Sequence, residues 1–229
     1  MQRVLEPEVM DTLQEAIEYD AMDFIDVNTA FAEHAINLGA TGLVLDAGTG
    51  TARIPILMCQ RRPNLEIIGI DLAQNMLEIG KRNIEAAGLQ KQIYLELVDS
   101  KRLPYQDGQF DMVISNSLVH HLPDPVPFFK EIKRVLKPDG AIFIRDLLRP
   151  VDEATVNSIV DSIGTGYNEH QTMLFRDSLH AAFTIPEVQD MLEIAGITGA
   201  KIYKSSDLHW TVERQSSIKI NHDSSTRNL

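Results

Sequence analysis

Leu43-Val44-Leu45-Asp46-Ala47-Gly48-Thr49-Gly50-Thr51 decides how the rest of the chain is read. A run of branched apolar residues stops at an acid, and two glycines follow, one residue apart. Ile54, Leu57 and Met58 then recur at helical spacing. The pattern is that of a buried strand, a tight turn and a helix start. Glycine lets the backbone bend sharply and lets a ligand approach with no side chain between. The helix N-terminus behind the turn offers free N–H groups and the positive end of a dipole. Such a turn, at the end of a parallel strand, suits a polar or anionic small molecule. Gly-x-Gly alone is a common turn, and the next acid is what raises the signal. Ile67-Ile68-Gly69-Ile70-Asp71 is a second apolar run ending in Asp, about 20 residues on, the spacing at which an acid accepts the hydroxyls of a ribose.

Working outward, the alternation continues. A helix is expected over residues 51–61, stopped by Pro63, then a strand over 66–70 and a helix over 73–87. In that helix Ala73, Met76, Leu77, Gly80, Ile84 and Ala87 form one stripe, and Gly88 suits the C′ position. Strands are expected over 93–98 and 110–115, ending at Asp99 and Asn116. Asp124-Pro125 supplies an N-cap and a first-turn proline for a helix to Leu136. Lys137-Pro138-Asp139-Gly140 reads as a turn into a strand over 141–146. Strands alternating with helices predict a doubly wound parallel α/β sheet, with ligands at the C-terminal edge.

The flanks differ. Residues 1–40 read as a helical cap, with helices over 15–22 and 27–38 broken near 23–26. Tyr19-Asp20 has two readings there, a lid over the ligand or a partly buried helix surface. Residues 41–215 read as the main domain, with a helical insertion at about 151–183 that Gly164-Thr165-Gly166 interrupts. Thr184-Ile185-Pro186-Glu187 is a capping-box start for a helix through Ala195. Residues 200–205 and 208–215 read as an antiparallel pair. Residues 216–229 read as a loose polar tail.

Composition bounds the function. The 229 residues carry a formal charge of −12 and no basic cluster, which disfavours a nucleic-acid partner. No apolar run nears the roughly 18 residues of a membrane helix, and the N-terminus lacks a secretory pattern, so no membrane partner and a cytoplasmic location are expected. The single Cys59 excludes an internal disulfide and a cysteine metal cluster.

The residues then match a known family. Leu45–Thr51 resembles the glycine motif of the class I S-adenosylmethionine-dependent methyltransferases, and the stretch from Gly69 to Leu77 resembles their second motif. Val98-Asp99-Ser100 with Leu103-Pro104-Tyr105 is similar to their adenine-side motif. The stretch from Phe110 to Leu122 resembles the fourth motif, and the one from Arg134 to Gly140 the turn before the fifth strand. The resemblance covers about residues 40–146. It is closest to the methyltransferase-11 type, which includes quinone-biosynthesis enzymes, and within it to a bacterial subgroup with Arg145-Asp146-Leu147-Leu148-Arg149-Pro150 after strand five. It implies a Rossmann-like seven-stranded sheet of order 3-2-1-4-5-7-6 with strand 7 antiparallel.

It further implies S-adenosyl-L-methionine as cofactor and S-adenosyl-L-homocysteine as product. Asp46, Gly48, Thr49 and Gly50 would surround the methionine part, with Tyr19 over it. Asp71 would take the ribose hydroxyls, with Leu72 against the adenine. Asp99 would accept from the adenine amino group, with the Ser100 N–H at the ring. Asn116 and Ser117 would lie under the sulfonium. Ala52 stands where many members have a third glycine, and the turn is expected to survive.

A sulfonium methyl is already activated, so an in-line nucleophile in a dry pocket is the main requirement. A general base helps where the acceptor is a hydroxyl or an acidic C–H. His120 and His121 are the candidates, each otherwise a hydrogen-bonded structural histidine, and at most one is expected to face substrate. No metal site is expected from the pair, because neighbours rarely share one ion and no third ligand is close in sequence. Arg145, Asp146 and Arg149 hold an anionic substrate or pair among themselves. Tyr167, His170, Arg176 and His180 are candidate acceptor contacts. The reading is a methyltransferase acting on a small molecule, as monomer or homodimer. The alternatives are a non-catalytic cofactor-binding protein and a nucleic-acid methyltransferase. Asn116-Ser117-Leu118-Val119 lacks the Pro-Pro-aromatic sequence of amino-directed nucleic-acid enzymes, and Ile54-Pro55 breaks a dinucleotide fingerprint.

Overall fold

The computed structural model describes residues 1–6, 12–22, 24–163 and 166–217. The chain runs α1 (Leu13–Asp20), α2 (Ile25–Asn37), β1 (Leu43–Ala47), α3 (Arg53–Arg61), β2 (Glu66–Asp71), α4 (Gln74–Ala87), β3 (Ile93–Leu97) and β4 (Phe110–Asn116). It continues through a 3-10 turn (Val119–His121), α5 (Val126–Val135), β5 (Leu136–Leu147), α6 (Glu153–Ile163), α7 (Glu169–Ala181), α8 (Ile185–Ala195), β6 (Lys201–Lys204) and β7 (His209–Arg214). The strands form one sheet in the order β3-β2-β1-β4-β5-β7-β6. β1 to β5 are parallel, and β7 is antiparallel to both of its neighbours. This is the expected fold.

The apolar runs are continuous because helices cover both faces of the sheet. Successive residues then feed different cores, as the period of two requires. Leu45 and Ala47 pack with Phe128, Phe129 and Ile132 of α5, whereas Val44 packs with Phe31, Ala32 and Ala35 of α2. On β5, Ile142 and Ile144 join the first core, and Ala141 and Phe143 the second. A smaller cluster seats α1 on α4 through Ala16, Ala73, Met76 and Ile79.

The element boundaries hold to within a few residues, with one correction. Residues 137–140, expected as a turn, belong to β5, which starts at Leu136 opposite Phe110. The pairing register slips between Phe110 and Met112. A bulge of that kind accommodates Pro138 and leaves room for Gly140, where a Cβ would lie 2.5 Å from Leu136 Cδ1. Lys137 meets Asp111 at 2.6 Å and fixes the irregular entry. The capping box of α8 is present, with the Glu187 carboxylate accepting from the Thr184 N–H at 2.7 Å. Gly164 and Thr165 of the expected break, and residues 218–229 of the expected tail, lie outside the described residues. Among the described residues no helix is long and apolar enough to cross a membrane.

Candidate functional site

The C-terminal ends of β1, β2 and β4 open onto a crevice of two adjoining cavities that meet at Tyr19, Gly48 and Asn116. The turn after β1 forms its floor. The N–H groups of Gly48 and Thr49 both donate to the Ile70 carbonyl at 2.9 Å, fastening the turn to β2. Gly48 and Gly50 sit at φ +75° and +54°, where glycine is unstrained. A Cβ on Gly48 would come within 2.9 Å of Leu118 Cβ. Ala52 takes the same left-handed region at φ +62° and its methyl is fully buried, so the turn survives without the third glycine. An alanine in that region costs about 1–2 kcal/mol.

Two carboxylates converge on this floor. Asp71 accepts from the Gly50 N–H at 2.8 Å and from the Ala73 N–H at 2.9 Å, one bond to each oxygen. Each oxygen keeps a lone pair for a further donor. Burial raises its pKa, and these backbone donors oppose the rise. Asp46 is 2% exposed, and among the described residues it has no ion pair. Burial, with Asp71 nearby, pushes it up to about 7 against the lowering effect of Thr49. A buried carboxylate without a cation is poised to receive one.

Tyr19 covers this floor. Loss of water around its hydroxyl, then the charges of Asp71 and Asp46, push its phenol up to about 12, although the side chain as a whole is 37% exposed. Its neighbour Asp20 grips Arg53 at 2.7 and 2.9 Å and accepts from Asn83 at 2.9 Å, tying α1 to α3 and α4. Leu72, Ser100 and Ser117 line the crevice. Ser117 is held at φ +58°, with its N–H on the Arg145 carbonyl at 2.9 Å, a bend of the kind that concentrates at functional sites. Asp99 stands apart from its neighbours, with one of its two oxygens engaged. Val98 and Ser100 on either side line the crevice, but the Asp99 carboxylate turns to Lys101, accepting its N–H at 2.9 Å and meeting its ammonium at 3.2 Å.

The two histidines have different surroundings. His121 borders the crevice. His120 is buried, with Nδ1 2.5 Å from Asp146 Oδ1. Burial alone would lower the His120 pKa, but Asp146 outweighs it and raises it. The same contact holds Asp146 below the usual carboxylate range despite its burial. Of the two readings of Arg145, Asp146 and Arg149, pairing among themselves is not seen, since Arg145 and Asp146, neighbours on β5, point to opposite faces and Arg149 lies beyond the strand. Asp146 goes to His120. Arg145 lies on the other face, over the Phe31 ring at 5.0 Å and bonded to Asn116 Oδ1 at 3.1 Å. Arg149, expected as a substrate contact, is engaged by Glu187 at 2.6 Å and by the Ala182 carbonyl.

The insertion contributes less than expected. Arg176 and His180 are both drawn to Glu153, at 2.8 and 3.1 Å, joining α7 to α6. His170 is exposed. Tyr167 stands edge-on to Phe175 and lies close enough to Tyr19 to raise its phenol. Sequence reasoning missed the N-terminal strap. Arg3 donates to the carbonyls of Ala181, Pro123, His120 and Leu122, and its guanidinium sits 3.8 Å over Phe183. The strap delivers Glu6 to the histidine pair, 2.9 Å from His121 Nδ1. No local periodicity in residues 1–6 announces this.

Residues 45–144 match the family described as a methyltransferase domain. Over that stretch the chain is similar to the class I S-adenosylmethionine-dependent methyltransferases. It is 36% identical over 122 residues to a demethylmenaquinone methyltransferase of Lactobacillus johnsonii, covering 53% of this chain and 50% of that protein. It is 31% identical over 121 residues to a ubiquinone/menaquinone biosynthesis C-methyltransferase of Citrifermentans bemidjiense, covering 52% of each. The chain thus spans about half the length of these curated relatives. A structure described as an S-adenosyl-L-methionine-dependent methyltransferase from Methanococcus maripaludis superposes with a TM-score of 0.71 at 21% identity, over 96% of this chain and 99% of that one. At that identity the superposition speaks for the fold.

The donors of the crevice fit this family's cofactor. The bare backbone at Gly48 and Gly50 leaves room for it, and the uncompensated Asp46 suits its cationic methionine end. The free lone pairs of Asp71, beside the apolar Leu72, suit a nucleoside.

Proposed function

We propose that this chain transfers the methyl group of S-adenosylmethionine to a small organic acceptor. The observation that carries the reading is the buried, cation-free Asp46 beside Asp71 over a two-glycine floor. The cofactor supplies a methyl on a positively charged sulfur, which needs no metal or further activation to leave. The protein's part is to bind, align and dry the reactants. Asp46 balances the charge at the methionine end, and Asp71 fixes the ribose through its two free lone pairs. Asn116 and Ser117, at the tip of β4, border the reacting centre. Tyr19 and α1 keep water out from above.

His121 is the group placed to take a proton from the acceptor, since it borders the crevice while His120 is engaged by Asp146. Tyr167 is the acceptor contact nearest the lid. The relatives named for demethylmenaquinone and for ubiquinone and menaquinone biosynthesis support an acceptor of phenolic or quinol character. The test is calorimetry with S-adenosylhomocysteine followed by turnover on a panel of phenols, carboxylates and amines. Binding with turnover on one class is expected. Absence of S-adenosylhomocysteine binding would sink the proposal. Binding with no turnover on any acceptor would favour a cofactor-binding protein without catalysis.

A further inference from the structure

Behind the crevice wall, three metal-ligating groups from distant parts of the chain face one another. Glu6 Oε1 lies 2.9 Å from His121 Nδ1 and 3.5 Å from His120 Nε2, and the three ligand atoms lie within 4.8 Å of one another. The Glu6 side chain is 6% exposed and that of His120 4%. Glu6 Oε1 and His121 Nδ1 are both buried; among the described residues they face each other at 2.9 Å as an ion pair, and neither makes a well-aligned hydrogen bond. Two buried polar atoms that satisfy each other only in part leave lone pairs available to a cation.

We propose that Glu6, His120 and His121 bind one divalent transition-metal cation of the zinc class. Tetrahedral ligands at metal bonds of about 2.0–2.1 Å are about 3.3 Å apart, and the two short contacts straddle that edge. Two imidazole nitrogens and one carboxylate suit zinc, cobalt or iron(II). Calcium and magnesium take oxygen ligands. The surroundings are those of a supported site. His120 gives its other nitrogen to Asp146, whose second oxygen accepts from the Val119 N–H at 2.5 Å. Such a carboxylate fixes the ring so that Nε2 presents its lone pair to the metal. The other Glu6 oxygen accepts from the Ser178 hydroxyl at 3.1 Å. Arg3, three residues before Glu6, is clamped by four carbonyls, so the N-terminal ligand is held in place in advance. Three protein ligands leave a tetrahedral position open, as in catalytic rather than structural zinc sites. The His121 side chain is 21% exposed and borders the crevice, so that position is reachable from it, and because a ring bound through Nδ1 carries its proton on Nε2, the base role of His121 belongs to the metal-free form.

The experiment uses the full chain without a histidine tag, stripped by chelator, reloaded with zinc or cobalt(II) and desalted. Metal content is read by mass spectrometry and cobalt ligation by visible absorption. About one equivalent is expected, with the intense absorption of a low-coordinate cobalt site. Glu6→Gln should weaken zinc binding at least about 10-fold, and Asp146→Asn about 10–100-fold through the orientation of His120. Circular dichroism confirms that each variant is folded. Should Glu6→Gln fail to fold, His121→Gln replaces it. Retention below a tenth of an equivalent, or equal retention by wild type and Glu6→Gln, would overturn the site. S-adenosylhomocysteine binding, measured in parallel, reports on the crevice alone. Metal bound without S-adenosylhomocysteine would uphold this site and sink the methyl-transfer reading, and the reverse result would do the opposite.

Discussion

At the residue scale, Asp46 carries the most consequence. Its carboxyl is 2% exposed and pushed up to about 7, so it holds its proton well above the usual carboxylate range. A cationic ligand prefers the ionised form. Binding of S-adenosylmethionine should therefore weaken about tenfold per pH unit below 7, with uptake of the ligand releasing about one proton at pH 6. Calorimetry at pH 6 and 8, in buffers of different ionisation enthalpy, measures both, and an affinity independent of pH would reject the assignment. The same shift acts on folding. Between about pH 4 and 7 the native state holds a proton that the unfolded chain has lost, so stability falls as pH rises through that window. Asp46→Asn removes the penalty. At pH 8 it should raise the unfolding free energy by roughly 2–4 kcal/mol while abolishing cofactor binding. Denaturant titration and calorimetry on the same sample decide it.

Among the elements, α1 and α4 control access to the crevice. The bond from Asp20 to Arg53 is half in solvent, with side-chain exposures of 18% and 49%, so it adds little to global stability. Its role is to hold α1, and hence Tyr19, over the floor. Asp20→Ala should lower S-adenosylhomocysteine affinity about 3–10-fold, with a melting temperature within a degree or two of wild type. Unchanged affinity would mean that the packing of Ala16 on α4 suffices. Gly80 shows how tightly α4 lies on the turn. An added Cβ would meet Leu95 Cδ1 at 2.9 Å and the Thr51 backbone carbon at 3.3 Å. Alanine gains about 1 kcal/mol in helix propensity, but overpacking against backbone costs about 1–3. Gly80→Ala should be net destabilising by about 1 kcal/mol in urea unfolding, and a stabilised variant would contradict the packing. Gly80 was visible in the sequence as a member of the apolar stripe, but its reason was not. That reason is the approach of another segment's backbone, which no local pattern records. The start of β5 is similar, since Lys137-Pro138-Asp139-Gly140 has turn chemistry and becomes strand only because Leu136 pairs across to Phe110.

Across the whole molecule, what was legible is what repeats locally. Acids and glycines at strand tips placed Asp46, Asp71 and the turn. Alternation gave a parallel sheet, and the family resemblance supplied the order of its last strands. What joins distant segments was silent, including the strap that sends Glu6 to the histidines. The partner of Arg149 was hidden for the same reason, because Glu187 lies on another element. Stability against pH is a further property of the assembled molecule. His209 on β7 is pushed down to about 4 by burial, with Arg145 adding to the effect. Its folded pKa is below its unfolded value, so its stabilising effect is complete above about pH 6.5 and is lost as pH falls toward 4. Asp46 has the opposite sign over nearly the same window, and the two offset each other in the wild type. Asp46→Asn should unmask the histidine, making the protein roughly 1–2 kcal/mol less stable at pH 4.5 than at pH 7 relative to the wild-type difference. Adding His209→Gln to that variant should cancel the excess. Urea unfolding of the three proteins at both pH values reads the two contributions separately, and a double variant as acid-sensitive as Asp46→Asn alone would show that His209 is not the group that takes the proton.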